Sequence, residues 1–135
     1  MVSERGLLDT SAVLLLDAHL DDPRMPERLF ISAVTLAELS VGPLVARSEP
    51  ERADRLSVLQ QAEANFDSLP FDASAARAFG RVSADLRGAG RKPSARAFDA
   101  LLAATALAHD LPIITANPRD FAGIRGLDVI DISPG

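Results

Sequence analysis

Short apolar runs alternate with longer amphipathic stretches along this chain. Gly6–Asp9 reads as a short strand, and Ser11 to about Leu20 as a helix that ends before Asp21-Asp22-Pro23. Leu29–Ala33 predicts a second strand, and Thr35 to about Arg47 a helix that Gly42-Pro43 should kink or interrupt. Pro50 can open the next helix, running to about Phe66. Ser68–Phe71 predicts a strand, and Asp72 or Ser74 can cap a helix that reaches Arg87 and breaks at Gly88-Ala89-Gly90. Pro93-Ser94 delays the following helix until about Ala97, and Pro112–Thr115 and Leu127–Ile132 supply the last two strands. Such alternation with short connections favours a parallel sheet covered by helices on both faces, an α/β architecture, as a single domain over residues 1–135. Ligands of such sheets bind beyond the carboxyl ends of the strands.

Composition narrows the class. An apolar fraction of 47% gives a chain of 135 residues enough material for a core. No run approaches the ~20 apolar residues of a membrane span. The opening Met1–Gly6 lacks the basic-then-apolar form of a signal peptide, which together points to a cytoplasmic protein. With no cysteine there is no disulfide framework, thiolate metal site or thiol nucleophile. The net charge of −5 argues at first against a polyanionic partner. However, Arg77, Arg81, Arg87, Arg91, Lys92 and Arg96 crowd one stretch that holds a single acid, Asp85. Local charge steers a polyanion, although a solvated helix face explains such a run equally well.

Four carboxylates stand at junctions between elements, each with apolar neighbours: Asp9, Glu38, Asp99 and Asp120. Each has a structural explanation. Asp9 could cap the helix that follows, or leave that to Thr10 and Ser11, whose hydroxyls equally suit support of a ligated carboxylate. Thr35-x-x-Glu38 matches a capping box. Asp120 follows the turn signal Asn117-Pro118. Asp99 is harder to explain by structure alone, because between Ala97 and Ala108 only Asp99 and Thr105 are polar, the composition of a buried helix. A helix dipole stabilises such an acid by only ~0.3–1 kcal/mol. Burying an unpaired ion costs several kcal/mol, so a cation belongs opposite, either a metal or an Arg such as Arg96. Several buried acids brought together repel one another, and a hard divalent cation relieves both penalties.

The ordered set Leu8-Asp9-Thr10-Ser11, Thr35-x-x-Glu38-Leu39, Phe98-Asp99-Ala100-Leu101-Leu102-Ala103-Ala104-Thr105-Ala106 and Thr115-x-Asn117-x-x-Asp120-Phe121 resembles the PIN domain, and within it the VapC-type toxin ribonucleases. The resemblance covers essentially the whole chain. It implies an α/β/α sandwich with a central parallel sheet, and a Mg²⁺- or Mn²⁺-dependent endoribonuclease acting on RNA. It also implies a cognate VapB-type antitoxin that blocks the site, and a homodimer. Carried over residue by residue, Asp9, Glu38 and Asp99 match the family's three central acids. Asn117 stands where some members carry an Asp, and here the acid appears at Asp120.

On this reading Asp9 and Asp99 anchor a metal, while Glu38 and Asp120 hold it through water or position a second ion. Thr10, Ser11, Thr115 and Asn117 support the acids, and Arg87, Arg91, Lys92 and Arg96 contact substrate phosphates, which positions RNA without choosing a sequence. His19 and His109 lie outside every matched motif and read as surface or helix-end residues, against paired-histidine cleavage. A haloacid dehalogenase-type phosphatase would want a second Asp where Ser11 stands, and no acidic pair of a response-regulator receiver follows the first strand. The remaining rival is a PIN-like module that binds RNA or protein without cutting.

Overall fold

The alternation folds as a five-stranded sheet in which every pairing is parallel. The computed structural model describes residues 4–92 and 96–134, so the readings of Met1–Ser3 and of the Pro93-Ser94 break fall outside the described residues. In chain order the elements are β1 (Arg5–Leu8), α1 (Thr10–Leu14), α2 (Leu16–His19), β2 (Arg28–Ser32), α3 (Ala33–Leu44), α4 (Glu49–Asn65), β3 (Asp67–Leu69), α5 (Ala73–Gly88), α6 (Ala97–Ala108), β4 (Ile113–Thr115), a 3-10 turn over Pro118–Phe121, and β5 (Val129–Asp131).

The strands lie in the order β3-β2-β1-β4-β5. Side chains alternate across the sheet, as strand geometry requires. Leu7, Phe30 and Ile113 pack toward α5 and α6, whereas Leu8, Ile31 and Ile114 pack against residues of α1, α3 and α4 such as Ala12, Leu39 and Ala62. The central strands are therefore apolar on both faces, which is why β1 and β4 read as short continuous apolar runs. The α/β/α sandwich is the architecture observed. Among the described residues no helix is long and apolar enough to cross a membrane.

Three departures from expectation concern the helices. The helix expected over Ser11–Leu20 is two short pieces that part at Leu15; Leu14 and Leu15 are exposed, so no apolar stripe holds one continuous helix to the sheet. α3 begins at Ala33 directly out of β2, capped by Ser32, whose hydroxyl accepts from the Val34 N–H at 3.0 Å. Pro43 does not interrupt α3. It sits in the last turn, and the Gly42 carbonyl beside it accepts from Arg55 Nη1 at 2.9 Å.

Gly6 marks the tightest packing on β1. A Cβ there would lie 2.7 Å from Ile114 Cδ1 and 3.0 Å from Pro26 Cγ, closer than side-chain carbons approach. Gly6→Ala is expected to destabilise the fold by about 1–3 kcal/mol through overpacking, read as a lower denaturant midpoint with an unchanged slope. Wild-type stability in that variant would show that the β1–β4 seam yields freely.

Candidate functional site

The chain winds outward from β1 to β2 and β3, then returns across the sheet to β4 and β5. Strand order thus reverses between β1 and β4, and the crevice at their carboxyl ends is the position where open parallel sheets bind ligands. Asp9 follows β1 directly, and Thr115 ends β4.

Asp9 is buried, at 5% exposure, and caps α1. Its Oδ1 accepts from the Ala12 N–H at 2.8 Å and from Ser11 Oγ at 2.7 Å, and its Oδ2 accepts from Thr115 Oγ1 at 2.5 Å. Capping and site-building are therefore the same hydrogen bonds. Ser11 Oγ also accepts from the Ala116 N–H, and Thr115 Oγ1 from the Asn117 N–H, so the two hydroxyls stitch the end of β1 to the end of β4. Burial pushes the Asp9 carboxyl up; bonds from Thr115, Ser11 and Ala12 oppose that, and Asp120 adds to it.

Glu38 stands in the second turn of α3, not in a capping box. Ser32 takes the cap, which leaves Thr35 inside the helix and fully buried, and Glu38 Oε1 accepts instead from Thr10 Oγ1 at 2.7 Å. Thr10 and Ser11 thus serve different acids, Glu38 and Asp9 respectively. Two neighbouring hydroxyls at a helix start were legible as support; that they would split between two carboxylates was not.

Asp99 lies in the first turn of α6, whose Ala100, Leu102, Ala103, Ala104, Thr105 and Ala106 are buried as its composition predicts. Its carboxyl is pushed up to about 6, first by burial and next by Asp120; Arg96 works against this, while Asp9 and Glu38 add to it. Asp120 falls in the 3-10 turn and accepts from Arg96 Nη1 at 2.5 Å. Asn117 is exposed and gives that turn no side-chain cap.

The basic residues divide. Arg87 and Lys92 are exposed. Arg91 donates to the Ala122 carbonyl at 2.7 Å, tying the end of α5 to the segment after the turn. Arg96 points inward, 2.5 Å from Asp120 and 3.7 Å from Asp99. Of the two alternatives weighed opposite Asp99, a metal or Arg96, the structure places the Arg96 guanidinium there. His109 forms the C-cap of α6 with its Nε2 buried and without a hydrogen-bond partner, while His19 lies 3.7 Å from Asp22. Neither belongs to the acid cluster.

The donor set is oxygen-only and anionic, which suits a hard divalent cation. Among the described residues no three Asp, Glu, His or Cys side chains close to the spacing of a direct ligand cage. Mg²⁺ retains several waters and takes few protein carboxylates, so a site for it does not require a direct cage of three or more side chains.

The PIN domain family model matches residues 7–127. The chain is 38% identical to the protein named ribonuclease VapC5 of Mycobacterium tuberculosis, over 94% of this chain and 93% of that one. It is 36% identical to the tRNA(fMet)-specific endonuclease VapC of Shigella flexneri, over 78% and 76% of the two chains. Among solved structures, a VapBC-5 member of the VapBC toxin–antitoxin family from Mycobacterium tuberculosis covers 96% of this chain and 100% of its own, with a TM-score of 0.84 at 38% identity. FitAcB from Neisseria gonorrhoeae gives a TM-score of 0.74 at 26% identity, covering 93% of this chain and 96% of its own. The family match, the sequence identity over nearly the whole of both chains and the shared fold lead to one conclusion: the chain belongs to the VapC group of the PIN-domain family.

Proposed function

We propose that this protein is a divalent-metal-dependent endoribonuclease, the toxin of a VapBC-type pair, with Asp9, Glu38, Asp99 and Asp120 as its working acids. The observation that carries the reading is the bonding that holds four acids from four separate segments: Ser11 and Thr115 hold Asp9, Thr10 holds Glu38, and Arg96 links Asp99 to Asp120. Asp9 and Asp99 would hold Mg²⁺ or Mn²⁺, with Glu38 and Asp120 reaching it through water. When bound, such an ion lowers the pKa of a water and offsets charge on a phosphate.

The chain's own residues do the rest. Thr115, Ser11 and the Ala12 N–H fix the Asp9 carboxylate, leaving its orientation no freedom. Thr10 aims Glu38 from across the crevice. Arg87 and Lys92, both exposed, supply phosphate contacts; Arg91 and Arg96 are engaged within the protein and are not counted among them. A VapB-type antitoxin is the partner on this reading. Support comes from a groove of about 320 Å³ that Thr10 and Glu38 share with Leu14, Leu39 and Val58, so an apolar segment lying there abuts Glu38.

The test is cleavage of single-stranded RNA by the purified chain. Chelation with EDTA should stop cleavage, and Mg²⁺ or Mn²⁺ should restore it. The rate should fall as salt rises, and replacing Arg87 and Lys92 together by Gln should flatten that slope by about 0.7 log units per lost phosphate contact. Cleavage that persists in EDTA removes the metal from the reading. Metal binding without any cleavage would favour an RNA- or protein-binding module instead.

A further inference from the structure

Arg96 stands immediately before α6, and its guanidinium reaches two acids on different segments. One nitrogen, Nη1, donates to Asp120 Oδ1 at 2.5 Å and lies 3.7 Å from Asp99 Oδ2. The three side chains are only partly covered: 40% of Arg96, 30% of Asp120 and 28% of Asp99 is exposed. The guanidinium is thus held by charge rather than wedged by packing, and it has solvent to move into. Its contacts also fall where the repulsion is largest, since Asp120 is the strongest like-charged influence on Asp99. A divalent cation drawn to the same pair of carboxylates would come within a few ångströms of the guanidinium, and the two positive charges repel.

We propose that Arg96 is an internal counter-cation and a positioning residue for Asp120: it holds Asp120 and Asp99 against each other's charge, and a divalent ion loads by displacing it outward. This rests on the metal-dependent reading given above. Metal loading at this site is then an exchange of one cation for another. Removing Arg96 tightens metal binding, the opposite of what loss of a purely structural residue does.

The experiment is calorimetric titration of the full chain with Mn²⁺, alongside melting in chelator, for the wild type, Arg96→Gln, Arg96→Lys, Asp120→Asn and the Arg96→Gln/Asp120→Asn double variant. Arg96→Gln is expected to bind Mn²⁺ about five- to tenfold more tightly. It should also melt about 2–4 °C lower in chelator. Arg96→Lys, which keeps the charge without the planar fork, should fall between the two. In the Asp120→Asn background the Arg96→Gln effect on Mn²⁺ affinity should shrink to about twofold or less, because the pair that couples them is gone. Equal or weaker Mn²⁺ binding by Arg96→Gln overturns the proposal while leaving the metal site standing. Absence of Mn²⁺ heat in both the wild type and Arg96→Gln up to millimolar concentration overturns the metal site itself, and this proposal with it.

Discussion

Asp99→Asn is expected to abolish RNA cleavage, by about a hundredfold or more, in a protein that is more stable than the wild type at pH 7.5. The activity loss follows from removing one of the two carboxylates assigned to the metal. The gain in stability follows from the carboxyl's environment. Its pKa is pushed up to about 6 in the folded protein, against about 3.9 in an unfolded chain. Between those values the folded state keeps a proton that the unfolded state releases, so stability falls as pH rises from about 4 to about 6 and stays reduced above. Asparagine carries no charge and escapes that loss. A two-unit difference corresponds to roughly 3 kcal/mol. Solvent reaching the 28%-exposed side chain, and the forfeited contact with Arg96, reduce the expected gain to about 1–2 kcal/mol. Melting the two proteins at pH 4 and pH 7.5 checks both parts. Their melting temperatures should coincide at the lower pH and separate at the higher. An Asp99→Asn protein that cleaves normally, or melts below the wild type at pH 7.5, contradicts the placement of Asp99 among like charges.

Asp9 gives the opposite balance. Asp9→Ala is expected to cost about 2–4 kcal/mol of stability as well as activity, whereas Asp9→Asn should lose activity alone. The alanine removes the cap of α1, worth about 1 kcal/mol, and strands the buried hydroxyl of Thr115 with the partly buried one of Ser11. Asparagine ranks with aspartate as a cap. Its carbonyl oxygen can still accept from the Ala12 N–H and Ser11, and its amide can donate to Thr115 once that hydroxyl rotates. Burial raises the Asp9 carboxyl, so losing the charge is not itself destabilising. Denaturant unfolding of the two variants separates the roles. Equal midpoints for Asp9→Ala and Asp9→Asn would mean that the hydroxyl network carries no weight in holding β1 to β4.

Much of this molecule could be read from periodicity. The central strands and α6 were legible because parallel strands buried on both faces are short apolar runs, and α6 is apolar around its circumference. The least legible region was Asp9–Leu20. Three consecutive leucines look like a buried face, yet Leu14 and Leu15 meet solvent and the helix splits. The start of α3 misled for another reason. Thr35-x-x-Glu38 has the form of a capping box, but β2 passes into α3 without a loop and Ser32 reaches the N-terminus first. Three residues of register separate those alternatives, and only the strand pairing decides between them. Among the acids, Asp99 was the most legible because its neighbours are so apolar. Arg96 opposite Asp99 was one of the two alternatives the buried acid demanded; the engagement of Arg91 could not be read, since a guanidinium beside a glycine-rich break looks alike whether it meets solvent, a carbonyl or a carboxylate.

The Asp9–Thr115 bond joins residues 106 positions apart in the chain. Threading so wide a span is entropically slow to close, and no local contact can substitute for it. During translation Asp9 emerges early with its local partner Ser11 but stays without Thr115 until β4 has been made. On the proposed reading, a product cut short anywhere before β4 lacks both Thr115 and Asp120 and is expected to be inert, so the hazard of making this protein begins only once β4 and the turn after it have been added.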